Sequence, residues 1–136
     1  MASYRVWGDT IHKIVILDSS AILMFCEFSV DWESELGRLL GGYKLIVPTA
    51  VLCELECLAE YKQGMQKRKA CAALKLIEKY EKITVDTMAA DEAIIKIAQQ
   101  ISNSVVMTND TELRKRLVAC GVKVIFLRGR KKLEMT

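Results

Sequence analysis

Several acidic residues of this 136-residue chain stand where an acid needs a reason. In KIVILDSSAIL, residues 13–23, the apolar residues Ile14, Val15, Ile16 and Leu17 run straight into Asp18. A buried ionised carboxylate is costly unless something compensates it, so Asp18 is either a helix cap or part of a charged site. Asp110 holds an equivalent place, where SVVMT runs out through Asn109 into a helical stretch. Asp there is ordinarily an N-cap favoured by the helix dipole. Glu54 lies in a helix after the second apolar run, on the shoulder of its apolar face, while Glu56 and Glu60 turn further toward water. Asp91 opens the helix Asp-Glu-Ala-Ile-Ile-Lys. Each of these acids taken singly fits a capping or solvated role. Together they place Asp18, Glu54, Asp91 and Asp110 at the same kind of position, near the carboxyl ends of strands. Carboxylates brought together repel and raise one another's pKa unless a cation holds them. Oxygen ligands with no imidazole or thiolate among them suit Mg²⁺ or Mn²⁺. The expected chemistry is metal-assisted, with the cation compensating Asp18.

The hydrophobic pattern supplies the elements that position these acids. Apolar runs predict strands at 13–17, 45–47, 82–85, 104–108 and 122–127, and helical periodicity predicts helices at 19–27, 31–40, 49–61, 66–80, 89–101 and 110–119. Strand–helix alternation with short connections implies a parallel sheet covered on both faces, and apolar runs without polar alternation fit strands buried on both sides. Ligands of such sheets bind outside the carboxyl ends of the strands, at a topological switch point. Asp18 falls there, and Asp110 meets it if the first and fourth strands are neighbours.

Composition narrows the classes. Hydrophobic residues make up 51% and charged residues 27%, a globular balance, and the length suits one domain over 1–136. No apolar run approaches a membrane span. MASYRVWGDTIHK has charges and Gly8 where a signal peptide needs an apolar stretch, so the expectation is a cytoplasmic protein without a membrane partner. Cys26, Cys53, Cys57, Cys71 and Cys120 are scattered among apolar neighbours with no C-x-x-C pair, which reads as reduced, mostly buried thiols rather than a zinc site. The lone His12 precedes the first strand, away from the carboxyl edge, and is not cast as a base. A formal charge of +3 permits an anionic partner. No G-x-x-x-x-G-K-[ST] or G-x-G-x-x-G follows a strand. A receiver domain is disfavoured because the first strand offers one Asp rather than an acidic pair, although Asp86 follows the third strand.

At this point the chain resembles the PIN-domain nucleases. Their ordered motifs read here as VILDSSAIL, VPTAVLCELE, ADEAIIKIA and VVMTNDTELRKRL, and the match runs from residue 13 to about 130. The resemblance implies a three-layer α/β/α sandwich with a five-stranded parallel sheet in the order 3-2-1-4-5. It implies a metal-dependent endoribonuclease that hydrolyses phosphodiester bonds in RNA with Mg²⁺ or Mn²⁺ on Asp18, Glu54, Asp91 and Asp110. Thr108 matches the hydroxyl before the last Asp, and Glu112 falls where some members carry a further acid. Many members have Asp-Thr-Asn at the first strand where this chain has Asp18-Ser19-Ser20. Ser19 keeps a hydroxyl, and Ser20 replaces an amide that could orient a carboxylate or water.

Basic residues are candidates for holding RNA. They are Lys62, Lys67, Arg68 and Lys69; the run Arg114, Lys115 and Arg116, which winds round a helix so that not all three face one ligand; and Arg128, Arg130, Lys131 and Lys132 in a basic tail of about 128–136. No aromatic-and-basic platform for reading bases is visible. The tail VIFLRGRKKLE looks like that of small archaeal proteins akin to ribosomal-RNA-processing nucleases, which makes rRNA processing the expected role. The alternatives are a VapC-type toxin paired with an antitoxin, and a non-catalytic RNA-binding or assembly module. Apolar surface on helices 31–40 and 66–80 adds the expectation of a homodimer.

Overall fold

A computed structural model describes residues 13–28, 31–86, 89–129 and 131–136. His12, with the N-terminal stretch before it, and Arg130 lie outside the described residues. The described elements are β1 (Lys13–Leu17), α1 (Ser19–Glu27), α2 (Trp32–Leu40), β2 (Tyr43–Pro48), α3 (Thr49–Tyr61), α4 (Met65–Ile77), β3 (Glu81–Ile83), α5 (Ala90–Gln100), β4 (Ser104–Met107), α6 (Thr111–Ala119), β5 (Lys123–Arg128) and β6 (Lys132–Met135).

They form one sheet in the order β3-β2-β1-β4-β5-β6. The first five strands are parallel in the order that the family resemblance implies, and β6 is antiparallel to β5. Successive strand residues face opposite sides of a sheet. Ile14, Val15, Ile16 and Leu17 are all fully buried, so β1 is covered on both faces and lies at the centre of the core. Ile16 sits between Ile46 of β2 and Val106 of β4. One step on, Leu17 is level with Met107, which puts Asp18 beside Thr108 as both strands end. Among the described residues no helix is long and apolar enough to cross a membrane.

Three expectations change. The basic tail is partly a strand: Lys132–Met135 closes against β5, and Leu133 is fully buried. Its backbone is tied to α2, with Leu133 N–H donating to Glu35 Oε1 at 3.0 Å and Leu133 C=O accepting from Arg38 at 3.0 Å. Four residues with one inward leucine carry too little period-two signal to read as a strand. Helix α4 ends at Ile77 rather than 80 because Lys82 Nζ donates to the carbonyls of Ile77, Glu78 and Tyr80; a lysine at a helix C-terminus meets carbonyls that have lost their helical partners. The five cysteines are free and exposed, not buried. On α3, Val51 and Leu55 take the inward face, which leaves Cys53 and Cys57 on the outer flank.

A tail that belongs to the fold has a measurable consequence. Leu133→Ala is expected to cost about 2 kcal/mol or more, the range for a leucine truncated in a packed core, read from urea unfolding. A change below about 0.5 kcal/mol, the scale of a surface substitution, would mean the tail is not part of the cooperative unit.

Candidate active site

Asp18 ends β1 and begins α1, and the two roles fall to different atoms. Its backbone is the N-cap of α1, with Ile22 N–H donating to Asp18 C=O at 3.1 Å, but its side chain makes no capping bond. The carboxylate is 4% exposed, beside the fully buried Thr108. Both Ser20 Oγ and Thr108 Oγ1 donate to Asp18 Oδ2 at 2.7 Å. Each hydroxyl has one proton, so both are used on Asp18, and the 3.2 Å approach of the two hydroxyl oxygens is a contact rather than a further bond. Each hydroxyl in turn accepts a backbone N–H: Asn109 donates to Ser20 and Asp110 to Thr108, both at 3.0 Å. Ser20 therefore does orient the carboxylate, as an amide at that position was expected to. Among the described residues no donor reaches Asp18 Oδ1.

Asp110 divides its carboxylate differently. Oδ1 accepts from the N–H groups of Glu112 and Leu113 at 2.9 and 3.2 Å, capping α6, and the second oxygen takes no part in the cap. Asn109, to which the sequence alone gave no role, fixes this turn. Its Oδ1 accepts Leu127 N–H at 2.8 Å and its Nδ2 contacts Met24 Sδ at 3.0 Å, joining the exit of β4 to β5 and α1. The signal was the turn-forming Thr-Asn-Asp run.

Glu54 projects from α3 and accepts a hydrogen bond from Ser19 Oγ. Glu54 and Asp91 line one cleft of about 470 Å³, together with Ala50, Cys53, Cys57 and Ala90. Asp91 lies in the first turn of α5, where the helix dipole favours a negative charge. Its pKa is nevertheless raised, first by burial and then by the charges of Asp18 and Asp110. Desolvation and repulsion thus outweigh the nearby Arg116 charge, which pulls the other way, and Asp91 lies within electrostatic reach of the other two aspartates.

The remaining candidates are dispersed. Glu112 is exposed and pairs with Lys115 at 3.7 Å. Arg116 pairs with Glu92, and Arg114 lies over the Phe126 ring with its guanidinium carbon 4.3 Å from the centroid. The run 114–116 thus faces three partners, as helical winding requires. Arg128 pairs with Glu134 at 2.8 Å, and Lys131 and Lys132 are exposed. Lys69 pairs with Glu27 at 3.4 Å and joins Lys62 along a separate groove between α1, α3 and α4. Phe126 was also missed, because it meets Arg114 only through the packing of α6 on β5.

The donor set suits a hard divalent cation: carboxylates, an Asp18 oxygen left without a donor, and an Asp91 whose charge is opposed by its neighbours. The residues fit the group chemically. Yet among the described residues no three acidic, cysteine or histidine side chains close round one point at metal-bonding distance, so the acids are gathered but spread.

The repulsion at Asp91 has a sign that can be checked. A carboxyl whose folded pKa lies above its unfolded value costs nothing below the unfolded pKa, and the cost grows as pH rises through the folded pKa. Asp91→Asn is therefore expected to raise the unfolding midpoint of the metal-free protein at neutral pH. The gain should fade as pH falls toward the ordinary aspartate range. An equal or lower midpoint at neutral pH would remove the inferred repulsion.

The PIN like domain family matches residues 15–130. Ribonuclease VapC4 of Methanocaldococcus jannaschii is 26% identical over 124 residues, covering 89% of this chain and 95% of that protein. Ribonuclease VapC9 of Archaeoglobus fulgidus is 26% identical over 121 residues, covering 89% and 87%. The PIN domain endonuclease Utp24 superposes with a TM-score of 0.72 at 22% identity over 90% of both chains. A domain of a functionally unknown protein from Methanocaldococcus jannaschii gives 0.63 at 24% identity, over 86% of this chain and 92% of its own. At those identities the two structures speak for the fold alone. With the family match spanning both strand-end aspartates and the acids between them, the chain belongs to the PIN like domain family.

Proposed function

We propose that this protein is a metal-dependent endoribonuclease that hydrolyses phosphodiester bonds in RNA. The observation that carries the reading is Asp18, a buried carboxylate at the switch point whose side chain is not used as a cap and which two hydroxyls hold in place. Asp18 and Asp110 would hold Mg²⁺ or Mn²⁺ directly, with Glu54 and Asp91 binding it directly or through water. A cation there supplies a Lewis acid that generates a nucleophile from water near neutral pH and offsets charge on the phosphate. Ser20 and Thr108 fix the orientation of Asp18, and Ser19 does the same for Glu54. No Ser or Cys nucleophile is required.

Both curated relatives reported above are named VapC ribonucleases. That favours a VapC-like ribonuclease with an antitoxin partner over the rRNA-processing role expected from the tail, because the likeness to Utp24 is one of fold. A homodimer stays a proposal with less motive than the sequence suggested. The apolar residues of α2 and α4 mostly pack inside the chain, with Leu36, Ala70, Ala73 and Ile77 buried, while Tyr61 and Met65 stay exposed near the α3–α4 turn.

The test is cleavage of end-labelled single-stranded RNA with Mn²⁺, Mg²⁺ or EDTA. Cutting is expected with the metals, none with EDTA, and none in Asp18→Asn. Ser20→Ala, which removes one of the two donors to Asp18, is expected to lower activity about 10–100-fold, the usual loss when a support of a metal ligand is removed. Equal cutting by wild type and Asp18→Asn, or cutting that survives EDTA, would refute the assignment.

A further inference from the structure

A second hollow, of about 660 Å³, opens between the start of α6 and β5, lined in part by Asn109, Thr111, Arg114, Phe126, Arg128 and Thr136. Asn109 and Thr111 are the residues on either side of Asp110, so the hollow begins next to that acid. Strand order fixes its side. Glu54 follows β2, Asp18 ends β1, Asp110 follows β4, and the hollow lies at β5. The Glu54–Asp91 cleft and this hollow therefore flank the two aspartates along one sheet edge.

The lining has a particular chemistry. The Arg114 guanidinium carbon lies over the Phe126 ring, 4.3 Å from its centroid, a cation–π contact. A planar, weakly hydrated guanidinium carried over a ring has an outer face to which another flat group can add. Unpaired RNA bases use guanidinium planes and aromatic rings in this way, whereas paired bases are already stacked on each other. Among the described residues Arg114 makes no ion pair, while Arg128 shares its charge with Glu134 at 2.8 Å, so the available cation is the stacked one. Thr111 and Thr136 add small polar residues to the lining. The volume is within the range of small-molecule sites, roughly 300–1,000 Å³.

We propose that this hollow is a subsite for one unpaired nucleotide adjoining the scissile phosphate, with its base stacked on Arg114. The subsite makes the substrate single-stranded on that side. Its ligand being RNA rests on the ribonuclease reading, so the test uses binding and not cutting. The full chain in EDTA is titrated with a short single-stranded RNA carrying one 2-aminopurine, and with the same sequence as a duplex, at several salt concentrations. The single strand should bind more tightly than the duplex, with a change in 2-aminopurine fluorescence. Arg114→Lys keeps the charge but loses the plane. It should weaken single-strand binding about tenfold, in line with the loss of one stacked base, and abolish the fluorescence change. The salt slope should stay as in wild type, because the number of cations is unchanged. A thermal melt verifies that the variant folds.

Unchanged affinity in a folded Arg114→Lys, a silent probe, absent binding, or a duplex bound as tightly as the single strand would each overturn the subsite. Arg114-dependent binding by a protein that cuts no RNA would sink the nuclease reading and leave the subsite standing. Metal-dependent cutting by a protein whose binding ignores Arg114 would do the reverse.

Discussion

The parallel pairing of β1 with β4 is the constraint on which the rest of the site depends. Its register sets Leu17 level with Met107, so the next residues, Asp18 and Thr108, leave the sheet side by side. A slip of one residue would send every side chain of a strand to the other face and would separate the carboxylate from its hydroxyl. The register is held by core residues with no polar atoms, Val15 against Val105 and Ile16 against Val106. The chemistry is thus aligned by packing. Desolvation of Asp18 is offset by two hydroxyl hydrogen bonds at 2.7 Å, and bonds to an ionised acceptor are stronger than neutral ones.

Around that pair the acids divide their work. Asp110 uses one oxygen to cap α6 and keeps the other outside the cap. Asp18 leaves the capping of α1 to its backbone. Asp91 is held where burial and like charges oppose its ionisation. Natural folds break a local rule mainly at functional or strained positions, and Asp91 breaks the rule that like charges are kept apart and solvated.

The flanks of the sheet show how its edges are closed. At one edge the short β3 is bound to β2, with Lys44 paired to Glu81 at 2.8 Å. At the other, β6 covers β5 and is pinned to α2 through Glu35 and Arg38. Short, charged edge strands discourage further strand pairing. The same closing strand shapes the hollow beside Asp110, because Thr136 at its end joins the lining.

What the sequence by itself determined is local. Apolar runs marked the five parallel strands, helical periodicity marked the helices, and an acid directly after an apolar run marked Asp18 and the Asp110 turn. Those signals act over a few residues, which is why they survive in one dimension. The tertiary structure decided what depends on partners distant in the chain. Thr108 and Asp18 are separated by 90 positions, and nothing local told that Thr108 would hold the same oxygen as Ser20, or that the Asp18 side chain would be left out of its helix cap. Strand β6 was hidden because its one buried leucine has meaning only against β5 and α2. The cysteines were misjudged because apolar neighbours in sequence do not say which flank of a helix faces the core. Arg114 and Phe126 stack only because α6 folds back onto β5. Periodicity encodes burial, but the pairing of particular polar atoms is set by strand register and helix packing, which exist only once the chain has folded.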